Sequence, residues 1–137
     1  MAHWLVKSEP FKWSWDQQVA AGTQGTFWNG VRNHSAKLNL IAMKVGEEAF
    51  FYHSNEGKEI VGIVEIIKPY YPDPSDASGK FGMVDLRAKT ALKNPVTLAA
   101  VKADPRLKDM ALVKLSRLSV QPVTEEEWAI VCALGGL

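Results

Sequence analysis

The segment that decides the fold is Glu59-Ile60-Val61-Gly62-Ile63-Val64-Glu65-Ile66-Ile67-Lys68. Successive side chains of an extended chain point to opposite faces. The alternation therefore divides the small and apolar residues between two faces, with Ile60, Gly62, Val64 and Ile66 on one and Val61, Ile63 and Ile67 on the other. A strand that is apolar on both faces is covered on both sides. We therefore predict a central strand over residues 59–68.

Working outward from this strand, the chain alternates between short strands and short helices. Apolar runs predict further strands at residues 3–7, 48–53 and 84–88, and one bent strand or two short ones at 110–113 and 118–121. Capping residues and helical spacing predict helices at 15–21, 36–43 and 98–103 and from Thr124 to Leu134. Pro, Asp, Ser and Gly predict a surface loop over 69–80. The interleaved pattern favours an α+β fold with a curved, mostly antiparallel sheet that closes into a small barrel.

Three of these helices carry specific expectations. N-terminal caps are expected at Ser14, with Gln17 as the reciprocal partner, at Ser35 for the second helix, and at Thr124, with Glu127 as the reciprocal partner, for the last. Leu38, Ile41 and Ala42 share one face of that second helix, which predicts its core-facing side. We find no repeat or linker, so residues 1–137 are expected to form a single domain.

Length and charge restrict the function. The chain has 137 residues and a formal net charge of only +1, with 16 Lys and Arg against 15 Asp and Glu. A protein that coats nucleic acid by bulk charge is far more basic. Any nucleic-acid binding must therefore come from a local site. One cysteine, no signal-peptide pattern and no long apolar run lead us to expect a soluble cytoplasmic protein without a membrane span. The expected oligomeric state is a monomer.

Several common kinds of site have no support. No glycine-rich phosphate-binding motif is present. His3, His34 and His53 are scattered and Cys132 stands alone, so no pair has metal-ligand spacing. We expect neither a metal nor a cofactor.

The segment 27–33, Phe-Trp-Asn-Gly-Val-Arg-Asn, is the densest candidate for binding. Trp28 offers a flat face on which a nucleobase can stack, Arg32 a forked donor for a phosphate or base edge, and Asn33 a donor and acceptor pair. On this interpretation Trp28→Ala abolishes binding and leaves the fold intact. In the alternative, Trp28 belongs to the core and Arg32 is a surface charge.

Two strand ends supply further candidates. Lys7, Ser8 and Glu9 directly follow an apolar strand and precede Pro10. The second group, Tyr52, His53 and Ser54, lies where another strand becomes a turn, a common place for site residues. Both groups have a plainer interpretation as solvated turns whose hydroxyls bond the local backbone.

These segments resemble the EVE domain family. The resemblance rests on Trp4–Pro10, Trp28–Asn33, Ala42–Gly46, Phe50–Asn55 and, in order along the chain, Gly62-Ile63-Val64, Tyr71-Pro72-Asp73-Pro74, Met83-Val84-Asp85 and Leu118–Thr124. It implies a PUA-like fold, a small twisted β-barrel flanked by helices, with kinship to YTH and SRA readers of modified bases. The family often has Asp at the position of Asn29. Many members also have a longer insert where this chain has only Ser75–Lys80 between Pro74 and Phe81.

The resemblance also implies a function. Members are thought to bind modified cytosine, such as 5-methyl- or 5-hydroxymethylcytosine, in DNA or RNA through an aromatic-lined pocket and without catalysis. The implied pocket residues are Lys7, Ser8, Glu9, Trp28, Arg32, Asn33, Tyr52, His53 and Ser54. Two alternatives stay open. One is an enzyme that uses Glu9 or His53 as base with Ser8 or Ser54, and the other is a protein-interaction module with a vestigial pocket.

Overall fold

A computed structural model describes all residues of the chain, 1–137. The strands are β1 (His3–Ser8), β2 (Thr26–Phe27), β3 (Glu48–His53), β4 (Glu59–Pro72), β5 (Gly82–Thr97) and β6 (Val120–Val123). The α-helices are α1 (Trp15–Ala20), α2 (His34–Ala42), α3 (Leu98–Ala103), α4 (Ala111–Lys114) and α5 (Glu125–Leu134). Single 3₁₀ turns occupy Gly22–Gln24 and Pro105–Leu107. The predicted α+β class is confirmed.

All six strands form one sheet in the order β2-β5-β4-β3-β1-β6. The β1–β3 pair is parallel, and the four other neighbouring pairs are antiparallel. The predicted mostly antiparallel sheet is therefore confirmed. The hydrogen-bonded ladder is not closed, because β2 and β6 remain its two edges.

The central strands are buried on both faces, as the double-sided apolar pattern predicts. Trp4 and Val6 of β1 belong to one core cluster, whereas Leu5 between them belongs to the other. On β3, Phe51 packs into the first cluster and Phe50 into the second. The two clusters lie on opposite faces of the sheet because side chains alternate along each strand.

The alternation predicted for residues 59–68 is wrong at its first two apolar residues. Ile60 packs into the second cluster with Ile63, while Val61, Val64 and Ile66 pack against the first. The register of β4 against β5 shifts between Ile60 and Gly62 and again between Ile63 and Val64. Each shift changes which face of the sheet the following side chains occupy. A β-bulge of this kind adds a residue and changes which face a side chain occupies. The strand also continues to Pro72, so the predicted loop begins four residues later than expected.

Helix α2 differs from the prediction at its start and in its orientation. Its N-terminal cap is Asn33, whose Oδ1 accepts from the Ala36 amide at 3.0 Å, and not Ser35. The buried residues of α2 are Ala36 and Leu40. Leu38 is 65% exposed and Ile41 47% exposed, so the apolar face expected in the core lies on the surface. The other two predicted caps, the capping boxes at Ser14 and Thr124, are confirmed.

The extended conformation predicted for residues 110–113 is wrong, because residues 111–113 belong to α4. Local hydrogen bonds explain this difference, because a buried carbonyl needs a partner. The Leu115 and Leu118 amides donate to the Ala111 and Leu115 carbonyls at 2.7 and 3.0 Å. The fully buried Gln121 adds contacts from its amide nitrogen to the carbonyls of Ala111, Leu115 and Leu118 at 3.4, 3.1 and 3.0 Å. The segment therefore needs no neighbouring strand.

No helix combines the length and the apolar character that a bilayer crossing requires. The structure also has no group of three or more His, Cys, Asp or Glu side chains placed to hold a metal ion.

Gly62 provides a test of the packing between α1 and the sheet. A Cβ at this position would overlap the six-membered ring of Trp15. We expect Gly62→Ala to lower the free energy of unfolding by about 1–3 kcal/mol, the usual cost of overpacking a core. Urea unfolding measures this cost. In a Trp15→Leu background the same substitution should cost clearly less, and an equal cost in both backgrounds would contradict the packing described here.

Candidate functional site

A cavity of about 680 Å³ opens where β1 and β3 end. Ligand pockets for small molecules have volumes of this order. Its lining comes from four parts of the chain: Lys7, Ser8, Glu9, Lys12 and Trp13; Thr26–Arg32; Ser54; and Ser116, Arg117 and Ser119. Four cations line it, Lys7, Lys12, Arg32 and Arg117, against one acid, Glu9. The site is therefore locally basic in a chain whose formal net charge is +1.

The parallel pairing of β1 with β3 forms the floor of this cavity. Ser8 lies opposite His53 at the last pair of the ladder, and the Ser54 amide donates to the Ser8 carbonyl at 2.9 Å. The lining segment 116–119 is hydrogen bonded to the same end of β1. The Lys7 amide donates to Ser119 at 3.0 Å, and the Lys7 ammonium donates to the Ser116 carbonyl at 2.7 Å. Partial burial lowers the pKa of Lys7 from its usual value.

Asp73 holds the loop that carries Trp28 to Arg32. Its carboxylate is buried and accepts from the Gly30 amide at 2.9 Å and from the Arg32 guanidinium at 3.2 Å. It also accepts from the amide and hydroxyl of Ser75. Burial alone would raise the pKa of Asp73, but these hydrogen bonds outweigh it and lower the pKa to about 2. Arg32 is thus engaged by the loop through both terminal nitrogens, because its second one donates to Ser75 at 3.0 Å.

Trp28 lines the cavity from within the core. The residue is 8% exposed, and its ring meets that of Phe51 edge to face at 5.6 Å. Replacing a buried aromatic with Ala costs about 3–5 kcal/mol. Trp28 therefore belongs both to the core and to the cavity wall, and Trp28→Ala is expected to lower the free energy of unfolding as well as base binding.

Six of the nine residues proposed from the sequence line the cavity, namely Lys7, Ser8, Glu9, Trp28, Arg32 and Ser54. The other three lie outside the lining for separate reasons. Asn33 caps α2 with its side chain. Tyr52 packs into the core on the opposite face of the sheet from Phe51, and burial raises the pKa of its hydroxyl. The imidazole of His53 accepts from the Trp15 amide at 3.0 Å and so holds the start of α1.

The hydrogen bonds do not assemble a Ser–His pair. The Ser8 hydroxyl donates to the Trp13 carbonyl at 2.5 Å, and His53 Nε2 is occupied by Trp15. Burial lowers the pKa of His53 more than nearby Glu59 and Asp16 raise it, which favours the neutral ring that this acceptor role requires. Nucleophilic catalysis needs the base within hydrogen-bond reach of the hydroxyl. The arrangement is suited to binding a flat polar ligand by stacking and hydroxyl contacts.

Three contributors escaped the sequence analysis: Trp13, Asp73 and the loop 116–119. An acid between two prolines beyond a strand is a signal for a fixed turn, and Asp73 has that setting. Trp13 directly precedes the Ser14 cap, and no local pattern places its ring at the cavity. No local signal marks residues 116–119, because only the pairing of β6 with β1 brings them here.

The comparison with known families decides what this architecture is. The family model of the EVE domain matches residues 2–134. The chain belongs to the EVE domain family. The expected PUA-like architecture of that family is confirmed, with the sheet left open between β2 and β6.

Several EVE-domain relatives resemble the whole chain. A protein of Rhodopseudomonas palustris, solved by NMR, is 70% identical with a TM-score of 0.94, covering 99% of this chain and 94% of that one. Thymocyte nuclear protein 1 of Gallus gallus is 40% identical over 164 residues, covering 96% of this chain and 68% of the relative. The human THYN1 protein, in complex with DNA containing 5-methylcytosine, is 37% identical with a TM-score of 0.91, covering 100% of this chain and 99% of that one. A YTH domain of Zygosaccharomyces rouxii shares the fold at 17% identity and a TM-score of 0.60.

Asp73→Asn tests how this loop is held in the EVE fold. The side chain keeps its shape but loses the charge, and hydrogen bonds to charged groups contribute about 1.5–3 kcal/mol each. We expect a lower free energy of unfolding at pH 7. Because the folded pKa is about 2 against a usual 3.8, the wild type should lose stability as the pH falls from about 4 toward 2, and the variant should lose less.

Urea unfolding at pH 7 and pH 3 measures both effects. Asp109→Asn is the matched control, because Asp109 is an exposed acid whose only ion-pair partner is the exposed Lys114. Its substitution should change stability by less than about 0.5 kcal/mol. Equal effects of the two variants would contradict the anchoring role of Asp73.

Proposed function

We propose that this chain binds a modified cytosine in DNA or RNA within the cavity, without catalysis. The observation that carries the proposal is the likeness to human THYN1 in complex with 5-methylcytosine DNA, together with the basic, partly aromatic cavity at the ends of β1 and β3. Each part of a nucleotide has a suitable partner there. The nine residues named from the sequence remain the proposed binding set, and the structure favours the six that line the cavity.

The base is expected to enter between aromatic side chains. Trp13, Phe27 and Trp28 line the cavity, and stacking of a base on an aromatic ring contributes about 1–3 kcal/mol. The hydroxyls of Ser54 and Ser119 can donate to or accept from the edge of the base. The base must leave its stack to reach this position, which costs a few kcal/mol in a duplex and less in a single strand. Single strands should therefore bind more tightly than matched duplexes.

The phosphates are expected at the rim. Arg117 and Lys12 are exposed, and neither lies within the core clusters. Such contacts add affinity without reading sequence and weaken as salt rises. The other two lining cations, Lys7 and Arg32, already bond to Ser116 and to Asp73 and Ser75, so the intrinsic affinity should be modest.

Fluorescence anisotropy with labelled oligonucleotides tests the proposal. The set contains cytosine, 5-methylcytosine or 5-hydroxymethylcytosine at one position, each in single-stranded DNA, duplex DNA and RNA. We expect saturable binding that favours a modified base, by no more than about 10- to 200-fold for a single methyl group. Equal affinity for all three bases would contradict base reading, and no binding at all would favour the protein-interaction alternative.

A pair of charge reversals locates the phosphate contacts. Arg117→Glu should weaken binding of modified and unmodified strands alike and reduce the salt dependence. Lys102→Glu is the matched control, because Lys102 is an exposed residue of α3 outside the lining. If the two reversals weaken binding equally, attraction comes from overall charge and not from the cavity rim.

A further inference from the structure

We infer that the ring of Trp13, held by the buried side chain of Gln18, is the surface on which the bound base stacks. This inference rests on the proposed function and deepens it, because it assigns the stacking contact to a residue that the sequence did not indicate. It also separates two tasks within the cavity, which are holding a base of any kind and distinguishing the modified one.

The three aromatic residues of the lining differ in what they can offer. Trp28 is 8% exposed and packed against Phe51, so most of its surface is already used by the core. Phe27 is 55% exposed at the end of a two-residue edge strand, and its ring has solvent around it. Trp13 lies between these extremes, because it is partly buried against the first core cluster and also lines the cavity.

Trp13 is fixed at its backbone and at its ring. Its carbonyl accepts from the Ser8 hydroxyl at 2.5 Å, and its amide donates to the Glu9 carbonyl at 3.0 Å. The indole Nε1 donates to Gln18 Oε1 at 2.8 Å. The first two contacts fix the backbone position of Trp13, and the third fixes the orientation of its indole ring. A ring that is already oriented loses little conformational freedom when a ligand binds.

Gln18 is the unusual member of this arrangement. It is fully buried, lies outside the cavity lining, and donates through Nε2 to the Leu86 carbonyl at 3.1 Å. A buried amide is costly unless both of its ends are hydrogen bonded. Here one end is anchored on β5 and the other receives only the indole of Trp13. Its position connects the sheet to the orientation of one ring at the cavity wall, which makes it a positioning residue.

The same hydrogen bond limits what Trp13 can recognise. Because the indole N–H is occupied by Gln18, the ring offers the base its π face and no donor. Every base has such a face, so the contact tolerates any base. Loss of the Trp13 ring should therefore lower the affinity for cytosine and for 5-methylcytosine by the same factor. The preference between them belongs to other groups of the cavity.

The test uses the full chain and two single-stranded DNA probes, identical except for one 5-methylcytosine in place of cytosine. Trp13→Leu retains an apolar side chain and removes the aromatic face. It should lower the affinity for both probes about 5- to 150-fold, which corresponds to the stacking range of about 1–3 kcal/mol. Trp128→Leu is the matched control, because Trp128 is a partly buried indole outside the lining, stacked on Phe50 of the second cluster, and its loss should change neither affinity.

A double-mutant cycle tests the role of Gln18. Gln18→Met should weaken binding in the wild-type chain but have no further effect in a Trp13→Phe chain, whose ring has no N–H to hold. A merely structural loss would weaken binding equally in both backgrounds. Urea unfolding of each variant checks that the folded fraction is complete during the titrations.

The outcomes distinguish the inference from the function on which it rests. If Trp13→Leu binds both probes as tightly as the wild-type chain does, Trp13 is not the stacking surface, and the proposed function stands. A Trp13→Leu loss restricted to the methylated probe overturns the division between stacking and discrimination. A wild-type chain that binds neither probe overturns the proposed function and this inference together.

Discussion

The parallel pairing of β1 with β3 is the constraint on which the rest of the structure depends. Parallel neighbours end at the same edge of a sheet and require a long crossover between them. The segment that leaves β1, the turn that leaves β3 and the loop that enters β6 therefore meet at one place, since β6 runs antiparallel to β1. The cavity lies there because three connections must diverge from a single point. Asp73 then fixes a fourth, the loop 28–32, against them.

The positive charge of the site comes from this geometry and not from the overall composition of the chain. The overall charge of +1 provides little attraction for nucleic acid, yet the convergent connections place four cations around one opening. Polar side chains in the walls are mostly engaged in holding the walls, as Arg32 is with Asp73 and Ser75. The groups left for a ligand are aromatic faces, hydroxyls and peripheral cations. That combination suits a base with its phosphate at the rim.

The sequence predicts features that depend on neighbouring residues. The double-sided burial of Phe50 and Phe51 and the capping box at Thr124 follow from short local patterns. Features set by distant contacts were not predictable. Asn33 and Ser35 can both cap a helix, and tertiary packing selects Asn33. The hydrogen bond from Arg32 to Asp73 spans 41 positions, and the burial of Leu40 in place of Leu38 depends on how α2 meets the sheet.

A ¹⁵N NMR titration of the wild-type chain with a single-stranded oligonucleotide that contains one 5-methylcytosine tests directly whether the base binds in the cavity. Saturable shifts are expected at the backbone amides of Ser8, Gly30 and Ser119 and at the indole N–H of Trp28. No shift is expected at Ala100 and residues 103–106, which line a separate shallow depression. Shifts centred on those residues, or on the exposed face of α2, would contradict binding in the cavity. Identical shifts with an unmodified oligonucleotide at the same affinity would contradict recognition of the modified base.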